Sequence, residues 1–262
     1  MTAASGAAVV IASAAFVLWP RNATELDEAT ALDDFRARSS STVRADEEPT
    51  DASVSLAGQT PVAGVYTYTA QGHEEVKLGP LPAERRPLPT TITGVVVAAP
   101  DGCFDFAINF FEQHTEETRY CVGDDGSVSI ARHEKHQQVG SIAPTGTMAC
   151  DPRTIAAPHN VLLPLSCTLS MSGGPLTMNA TLVGTATSST PEPIEVGART
   201  VEATPVTISH GVSGDLSGSW VETLWFAENR LPVAIERAVT LSGPATFTET
   251  STLTLTDIAP TT

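Results

Sequence analysis

The stretch Leu231–Leu241 reads LPVAIERAVTL, and its apolar side chains recur at every second position. This period of two is typical of a β-strand with one buried face. One charged residue, Arg237, interrupts that face, and an arginine there must be paired or must reach solvent. We expect an ion pair between Arg237 and Glu222 on the preceding strand. The segment just before, Ala227–Arg230, predicts a turn in which Asn229 takes a positive φ.

The same pattern continues outward from this strand in both directions. Turn signals at short intervals predict about 11–13 strands and no strong helix, which indicates an antiparallel all-β fold. We expect one large antiparallel sheet curled as an open or half barrel, with a β-sandwich as the alternative. The clearest further strands are Val62–Ala70, Thr90–Ala98, Leu176–Thr187, Leu216–Phe226 and Phe247–Ile258.

The chain has four cysteines, which are Cys103, Cys121, Cys150 and Cys167. Four cysteines allow three pairings. The segment Phe104–Phe110 alternates as a strand, and Glu116–Val122 could return antiparallel after a turn near Glu112, so that the first two cysteines face each other. The other two would then close a proline-containing loop. Metal sites usually carry closely spaced cysteine pairs, which this chain lacks, so we predict two disulfides and an oxidising compartment.

The N-terminal run Ala7–Pro20 reads AAVVIASAAFVLWP, and no charged side chain precedes Arg21. The whole uncharged stretch Met1–Pro20 is just long enough to span a hydrocarbon core, with Trp19 at the interface. We therefore predict a transmembrane signal anchor over 1–21, an acidic disordered or partly helical stalk over 22–58, and an extracytoplasmic β domain over 59–262. A cleaved signal peptide, which would give a secreted protein, and a buried core helix are the alternatives. Within the stalk, Thr24–Arg38 has apolar residues at helical spacing, and Thr24 could cap the helix.

The formal charge of −16 and the isoelectric point near 4.6 disfavour binding to nucleic acid and to anionic lipid headgroups. The chain is rich in alanine, threonine and valine, and its basic residues are mostly arginine rather than lysine. This composition suggests a GC-rich genome such as that of an actinobacterium. We expect a single-pass protein of the cytoplasmic membrane whose C-terminal domain lies outside the cytoplasm.

The C-terminal part of the chain resembles the closing strands of periplasmic lipoprotein carriers and of the mycobacterial LppX-type lipoproteins. The resemblance rests on Gly218-Ser-Trp220, Leu224-Trp225-Phe226, Asn229-Arg-Leu-Pro232 and Ile235-Glu-Arg237. The whole chain is also similar to uncharacterised membrane-anchored actinobacterial envelope proteins with a Tyr-x-Tyr strand (Tyr66, Tyr68) and a later Tyr-Cys (Tyr120-Cys121). The carrier resemblance implies an open barrel that holds an apolar ligand, with Trp220, Trp225 and Arg237 as possible ligand-binding residues.

Candidate catalytic and metal-binding patterns are weak. His133-Glu-Lys-His136 lacks the spacing of a zinc-protease motif, and on a strand its two histidines face opposite sides; we expect an exposed strand end or turn there. Asp124-Asp125-Gly126 predicts a turn, and Arg85-Arg86 a solvated loop. The nucleophile elbow Gly-x-Ser-x-Gly does not occur. We predict no catalytic residue, no metal and no cofactor.

These patterns lead to three hypotheses for function. The first is a membrane-tethered, non-enzymatic binding protein whose ligand is a lipid or an envelope protein. The second is a carrier or sensor of lipids or other apolar ligands, in which Arg237 lies at the barrel mouth and meets a headgroup. The third is a hydrolase. A carrier needs a cavity wider than side chains fill, whereas a hydrolase needs a nucleophile beside a histidine.

Overall fold

The computed structural model describes residues 24–42, 60–80, 82–138, 143–157, 161–173 and 176–262. The predicted anchor over 1–21 and most of the remaining stalk, 43–58, lie outside the described residues. None of the helices in the described part is both long enough and apolar enough to cross a membrane. The elements are α1 Glu28–Thr42, β1 Gly64–Leu78, β2 Glu84–Pro87, β3 Thr91–Ala98, β4 Cys103–Phe111, β5 His114–Val122, β6 Val128–Gln137, β7 Thr145–Cys150, β8 Thr154–Ala156, β9 Leu162–Gly173, β10 Leu176–Ser188, β11 Glu192–Val196, β12 Arg199–Gly214, β13 Ser217–Phe226, β14 Pro232–Ser242 and β15 Ala245–Leu255.

Twelve strands form a closed antiparallel barrel in the order β10-β9-β7-β6-β5-β4-β3-β1-β15-β14-β13-β12, and β12 pairs back with β10. The expected antiparallel all-β fold is confirmed. The expected open or half barrel is wrong in its degree of closure, because the β10–β12 ladder runs from Ala180 opposite Gly214 to Ser188 opposite Val206. The described strands outnumber the predicted ones because β2, β8 and β11 are short additions to β1, β6 and β12.

The barrel seam requires a glycine. A Cβ atom at Gly184 in β10 would lie 1.8 Å from the backbone oxygen of Ser209 in β12. The two strands therefore approach more closely than any side chain at this position allows. Gly211, also in the seam, has no such contact, since the nearest atom to its Cβ position is 3.8 Å away.

The barrel interior has three levels, and β14 crosses all of them. Val233 and Ile235 belong to a large lower core of buried apolar residues that includes Tyr68 and Phe226. Arg237, next on the same face, is buried at the middle level. Val239 and Leu241 belong to a second apolar group near the other end, here called the upper cluster: Met148, Cys167, Leu169, Met178, Ala180, Leu182, Val212, Leu216, Trp220, Val239 and Leu241.

Helix α1 covers part of the outer face of the barrel. Asp27 caps it, since the Asp27 carboxylate accepts a hydrogen bond from the backbone N–H of Thr30 at 2.8 Å; the cap is therefore Asp27, three residues after the predicted Thr24. The helical part of the stalk thus packs on the β domain, through a small apolar group in which the helix contributes Ala31, Leu32 and Phe35 and the strands contribute Val65, Val95, Val97 and Ala107.

The chain enters this helix at the upper end of the barrel. The backbone N–H of Thr24 donates to the side-chain oxygen of Gln113, and the backbone N–H of Glu112 donates to the Thr24 carbonyl, both at 3.0 Å. Gln113 also accepts a hydrogen bond from the backbone N–H of Gln138, the residue after β6. The β4–β5 turn therefore fixes Thr24 beside the end of β6.

Both predicted disulfides are present. Cys103 faces Cys121 across β4 and β5, as the predicted turn near Glu112 requires. Cys150 and Cys167 are also directly opposite each other, on β7 and β9. This second bridge joins neighbouring strands of the barrel wall rather than clipping a free loop.

Candidate functional site

The upper end of the barrel contains an apolar cavity of about 120 Å³. Met171, Ala245 and Phe247 are half-buried and mark its mouth, whereas the deeper lining is buried. A twelve-stranded barrel is wider than side chains alone readily fill, so unfilled space between two packed layers is physically reasonable. The apolar lining side chains are Val76, Leu169, Met171, Met178, Leu216, Trp220, Val239, Leu241 and Phe247.

One strand, β6, supplies the polar side of this cavity. His133, Lys135 and Gln137 alternate along its inward face and all line the cavity. The Lys135 ammonium lies 4.5 Å from the ring centre of Phe247 and 5.9 Å from that of Trp220, so two aromatic faces help to hold its charge. The expected exposed position of His133 is wrong, because the strand continues to Gln137 and turns His133 inward; His136 faces the opposite side, as predicted.

Below the cavity lies a buried group of charged residues, here called the ionic layer. Arg237 is at its centre, with guanidinium nitrogens 2.6 Å from Glu222, 2.7 Å from Glu116 and 3.2 Å from Glu249. Lys135 lies 2.8 Å from Glu116 and 3.4 Å from Glu249. The layer consists of Glu74, Arg86, His114, Glu116, Lys135, Glu222, Arg237 and Glu249.

The strand register explains why these charges meet. Glu222 lies directly opposite Arg237, and Glu116 directly opposite Lys135. Opposite charges at facing positions of an antiparallel pair attract each other. Glu74 faces Arg86 across β1 and β2 in the same way. Arg86 is therefore buried and paired with Glu74 at 3.2 Å, and the expected solvated loop at Arg85-Arg86 is wrong at this residue.

His114 joins two carboxylates of the layer. Its Nδ1 lies 2.8 Å from Glu74 and its Nε2 lies 2.9 Å from Glu116. Burial and the charge of Lys135 lower the pKa of His114, but these two carboxylates raise it above its usual value. Burial alone would raise the pKa of Glu74, yet the hydrogen bond and charge of His114, with Arg86 and Lys135, lower it to about 2. The pair therefore favours a protonated imidazole between ionised glutamates.

His133 has a different environment although it lies on the neighbouring strand. Its Nδ1 is 2.9 Å from the Thr118 hydroxyl, and its ring meets Trp220 edge to face. Burial, together with the nearby Arg237 and Lys135, lowers the pKa of His133 to about 4 despite the charge of Glu116. The ring is consequently neutral near pH 7. Its Nε2 has no hydrogen-bond partner among the described residues.

Gln137 also carries an unpartnered atom. Its amide nitrogen lies 3.4 Å from both carboxylate oxygens of Glu74, which assigns the donor end of the amide to that side. The other end, Oε1, is buried without a partner among the described residues. The cavity lining thus includes two polar residues that each keep one unused hydrogen-bonding atom.

Three side chains of the ionic layer also approach the geometry of a metal site. Ligand atoms of His114, Glu116 and Glu249 lie within 4.8 Å of one another. However, Lys135 and Arg237 donate to the two glutamates from inside the same group. A divalent cation would have to displace these charges, so the arrangement fits a protein-supplied cation better than a metal ion.

The three residues that the sequence predicts as ligand-binding lie at three different places in the structure. Trp220 lines the cavity. Arg237 lies one level deeper, in the ionic layer, and makes the predicted ion pair with Glu222. Trp225 is on the outward face of β13, where its indole N–H donates to Glu192 at 2.5 Å. The sequence analysis placed His133 at an exposed strand end or turn and assigned no role to His114 or Lys135, although the two-residue spacing of His133, Lys135 and Gln137 marks one strand face.

Comparisons of the chain with protein-family models, with curated proteins and with solved structures found no match. The fold and the site therefore define the class by themselves. It is a closed twelve-stranded antiparallel β-barrel that combines a buried ionic layer with an apolar cavity above it.

Proposed function

We propose that this chain is a membrane-tethered, extracytoplasmic binding protein whose ligand is a small apolar molecule held in the cavity at the upper end of the barrel. The observation that carries the proposal is the cavity itself, because its walls are aliphatic and aromatic and polar groups are confined to one strand. Ligand sites in proteins have this composition, with a few placed polar groups that set orientation.

The ionic layer forms the floor of this cavity in the proposed function. Buried charges that are paired and hydrogen-bonded hold their side chains in fixed positions. The layer separates the cavity from the lower core, so the space above it does not collapse onto the apolar residues below. A volume of about 120 Å³ suits a molecule of about six carbons or one end of a longer chain.

The position of the N-terminal segment favours a carrier or sensor that takes its ligand from the membrane. Thr24 is hydrogen-bonded to the β4–β5 turn at the cavity end. If the predicted anchor over 1–21 spans the cytoplasmic membrane, only Asn22 and Ala23 separate it from Thr24, and this linker allows a separation of only about 10 Å. The cavity mouth would then lie close to the lipid surface. The two disulfides support a position outside the cytoplasm.

The lowered pKa of His133 disfavours the hydrolase hypothesis. Thr118 and His133 are within hydrogen-bonding distance, as a nucleophile and its base would be. Because the pKa of His133 is lowered to about 4, its ring is a weak base at neutral pH. We propose that this pair is structural and that the protein is not an enzyme.

The proposal is tested by nuclear magnetic resonance on the full chain, kept in amphipol and labelled at the methionine methyl groups. Benzene is the probe, because it has no polar group and fits a cavity of this size. We expect benzene to shift the resonances of Met171 and Met178, and Ala245→Trp at the cavity mouth to abolish the shift. Ala149→Trp, on the exposed face of β7, is the matched control. Unshifted methionines at saturating benzene would contradict the proposal.

A further inference from the structure

We infer, building on the proposed function, that the ligand is an uncharged amphiphile whose hydroxyl group is bound by Nε2 of His133. His133 is 5% exposed, lines the cavity, and leaves this one ring nitrogen without a partner among the described residues. An unpartnered polar atom in a buried site is costly, so a ligand that satisfies it gains both affinity and orientation.

A ligand hydroxyl satisfies this nitrogen in either tautomer of the ring. The Thr118 hydroxyl lies 2.9 Å from Nδ1, and either group can be the donor. When Thr118 donates to Nδ1, Nε2 carries the proton and donates; when Nδ1 donates to Thr118, Nε2 accepts. A hydroxyl both accepts and donates, so it pairs with Nε2 in both cases, beside the indole of Trp220 that lies edge to face with the ring.

The charge of the ionic layer excludes a carboxylate at this place. Lys135, the cation nearest the cavity, already lies within 3.4 Å of two glutamates. The cations Arg86, Lys135 and Arg237, even with a protonated His114, do not outnumber the carboxylates that face them, which are Glu74, Glu84, Glu116, Glu222 and Glu249. An anionic headgroup would enter a site with no unmatched positive charge, and it would lose its hydration without compensation.

The aliphatic part of the ligand then lies along the apolar wall of the cavity. Leu169, Met178 and Leu241 line the wall of the cavity, and Met171 and Phe247 lie at its mouth. A hydroxyl at His133 directs the attached chain along these residues toward the open end. The predicted class is thus a medium-chain alcohol or the hydroxyl-bearing end of a larger neutral lipid.

The experiment compares 1-hexanol, 1-fluorohexane and hexanoate on the full chain in amphipol at pH 7.5. Occupancy is read from the Met171 and Met178 methyl resonances, which report the cavity and not partition into the amphipol. We expect hexanol to bind about tenfold more tightly than fluorohexane, and hexanoate to bind more weakly than both. In His133→Phe the tenfold preference should fall to about one while fluorohexane binding is retained. Hexanol should also shift the ¹⁵N resonance of His133 Nε2 in the unmodified chain, a readout that needs no variant.

Each other outcome has a defined meaning. Equal binding of hexanol and fluorohexane, or a hexanol preference that survives in His133→Phe, would overturn the inference and leave water as the partner of Nε2. Tighter binding of hexanoate would also overturn it and assign the site to anions. In all these cases the proposed function stands. If none of the three compounds binds, and benzene does not bind either, the proposed function fails as well.

Discussion

Arg237 is a single cation shared by glutamates on three other strands. Glu116 comes from β5, Glu222 from β13 and Glu249 from β15. Burial and these three carboxylates act in opposite directions on the pKa of Arg237, and the carboxylates prevail, raising it well above its usual value. The guanidinium therefore remains charged, and the glutamates depend on it for compensation.

We predict that Arg237→Met lowers the free energy of unfolding by about 3–5 kcal/mol, because it leaves buried carboxylates without their partner. The measurement is urea unfolding at neutral pH. Arg132→Met is the matched control, since Arg132 pairs with Glu117 on the outer face where it is 47% exposed, and such surface pairs contribute about 0–1 kcal/mol. Equal losses in the two variants would contradict the account of the ionic layer.

His133 gives the protein a defined acid sensitivity. Its pKa is about 4 in the folded protein, against 6.5 for an exposed histidine, so the unfolded chain binds more protons between these values. Stability therefore falls as the pH drops from about 6.5 to 4, by a total on the order of 3 kcal/mol. We predict that His133→Phe removes this part of the pH dependence, as measured by urea unfolding at several pH values. An unchanged slope in the variant would show that His133 is not the group responsible.

At the scale of the element, β14 shows what the sequence could predict. Its period of two, the burial of one face and the pairing of Arg237 with Glu222 all follow from local pattern. The neighbouring turn is placed correctly, although the residue with positive φ is Arg230 and not Asn229. The Asn229 side chain instead accepts a hydrogen bond from the backbone of Leu231.

The cavity and the ionic layer could not be predicted from local pattern, because they depend on how strands that are distant in the sequence align with one another. Glu116 alternates with other polar residues in β5, so it looks like a surface residue in isolation. The β14–β15 pairing makes Glu249 a diagonal neighbour of Arg237, but only the curvature of the barrel brings Glu116 to the same place. The one pattern that could have predicted the ionic layer is a charged residue on the inward face of several strands at the same level of the barrel.

Helix α1 permits a prediction for a single element. Asp27→Ala removes the N-cap and should destabilise the helix by about 1 kcal/mol. Hydrogen exchange of the Thr30 amide, which donates to Asp27, should accelerate accordingly. Asp33→Ala is the control, because Asp33 is an exposed residue within the same helix and does not cap it. Equal acceleration in both variants would contradict the assignment of the cap.

For the whole molecule, the β10–β12 seam is the feature that turns a sheet into a barrel. We predict that Gly184→Ala destabilises the protein by about 3 kcal/mol or more, because its Cβ would overlap the backbone of Ser209. Gly211→Ala, in the same seam, should cost about 1 kcal/mol or less since its Cβ position is open. Thermal unfolding of the two variants makes the comparison, and similar melting temperatures would argue against the closed seam.

The most direct test of the central claim is native mass spectrometry of the full chain, isolated in native lipid discs from the cells that produce it and freed of lipid in the instrument. We expect a one-to-one adduct of a small neutral amphiphile, which solvent extraction removes and identifies. The adduct should be absent from Ala245→Trp, in which the cavity mouth is blocked, and present in Ala149→Trp. A bare protein mass in the unmodified chain would contradict the claim that this barrel is a binding protein for apolar ligands.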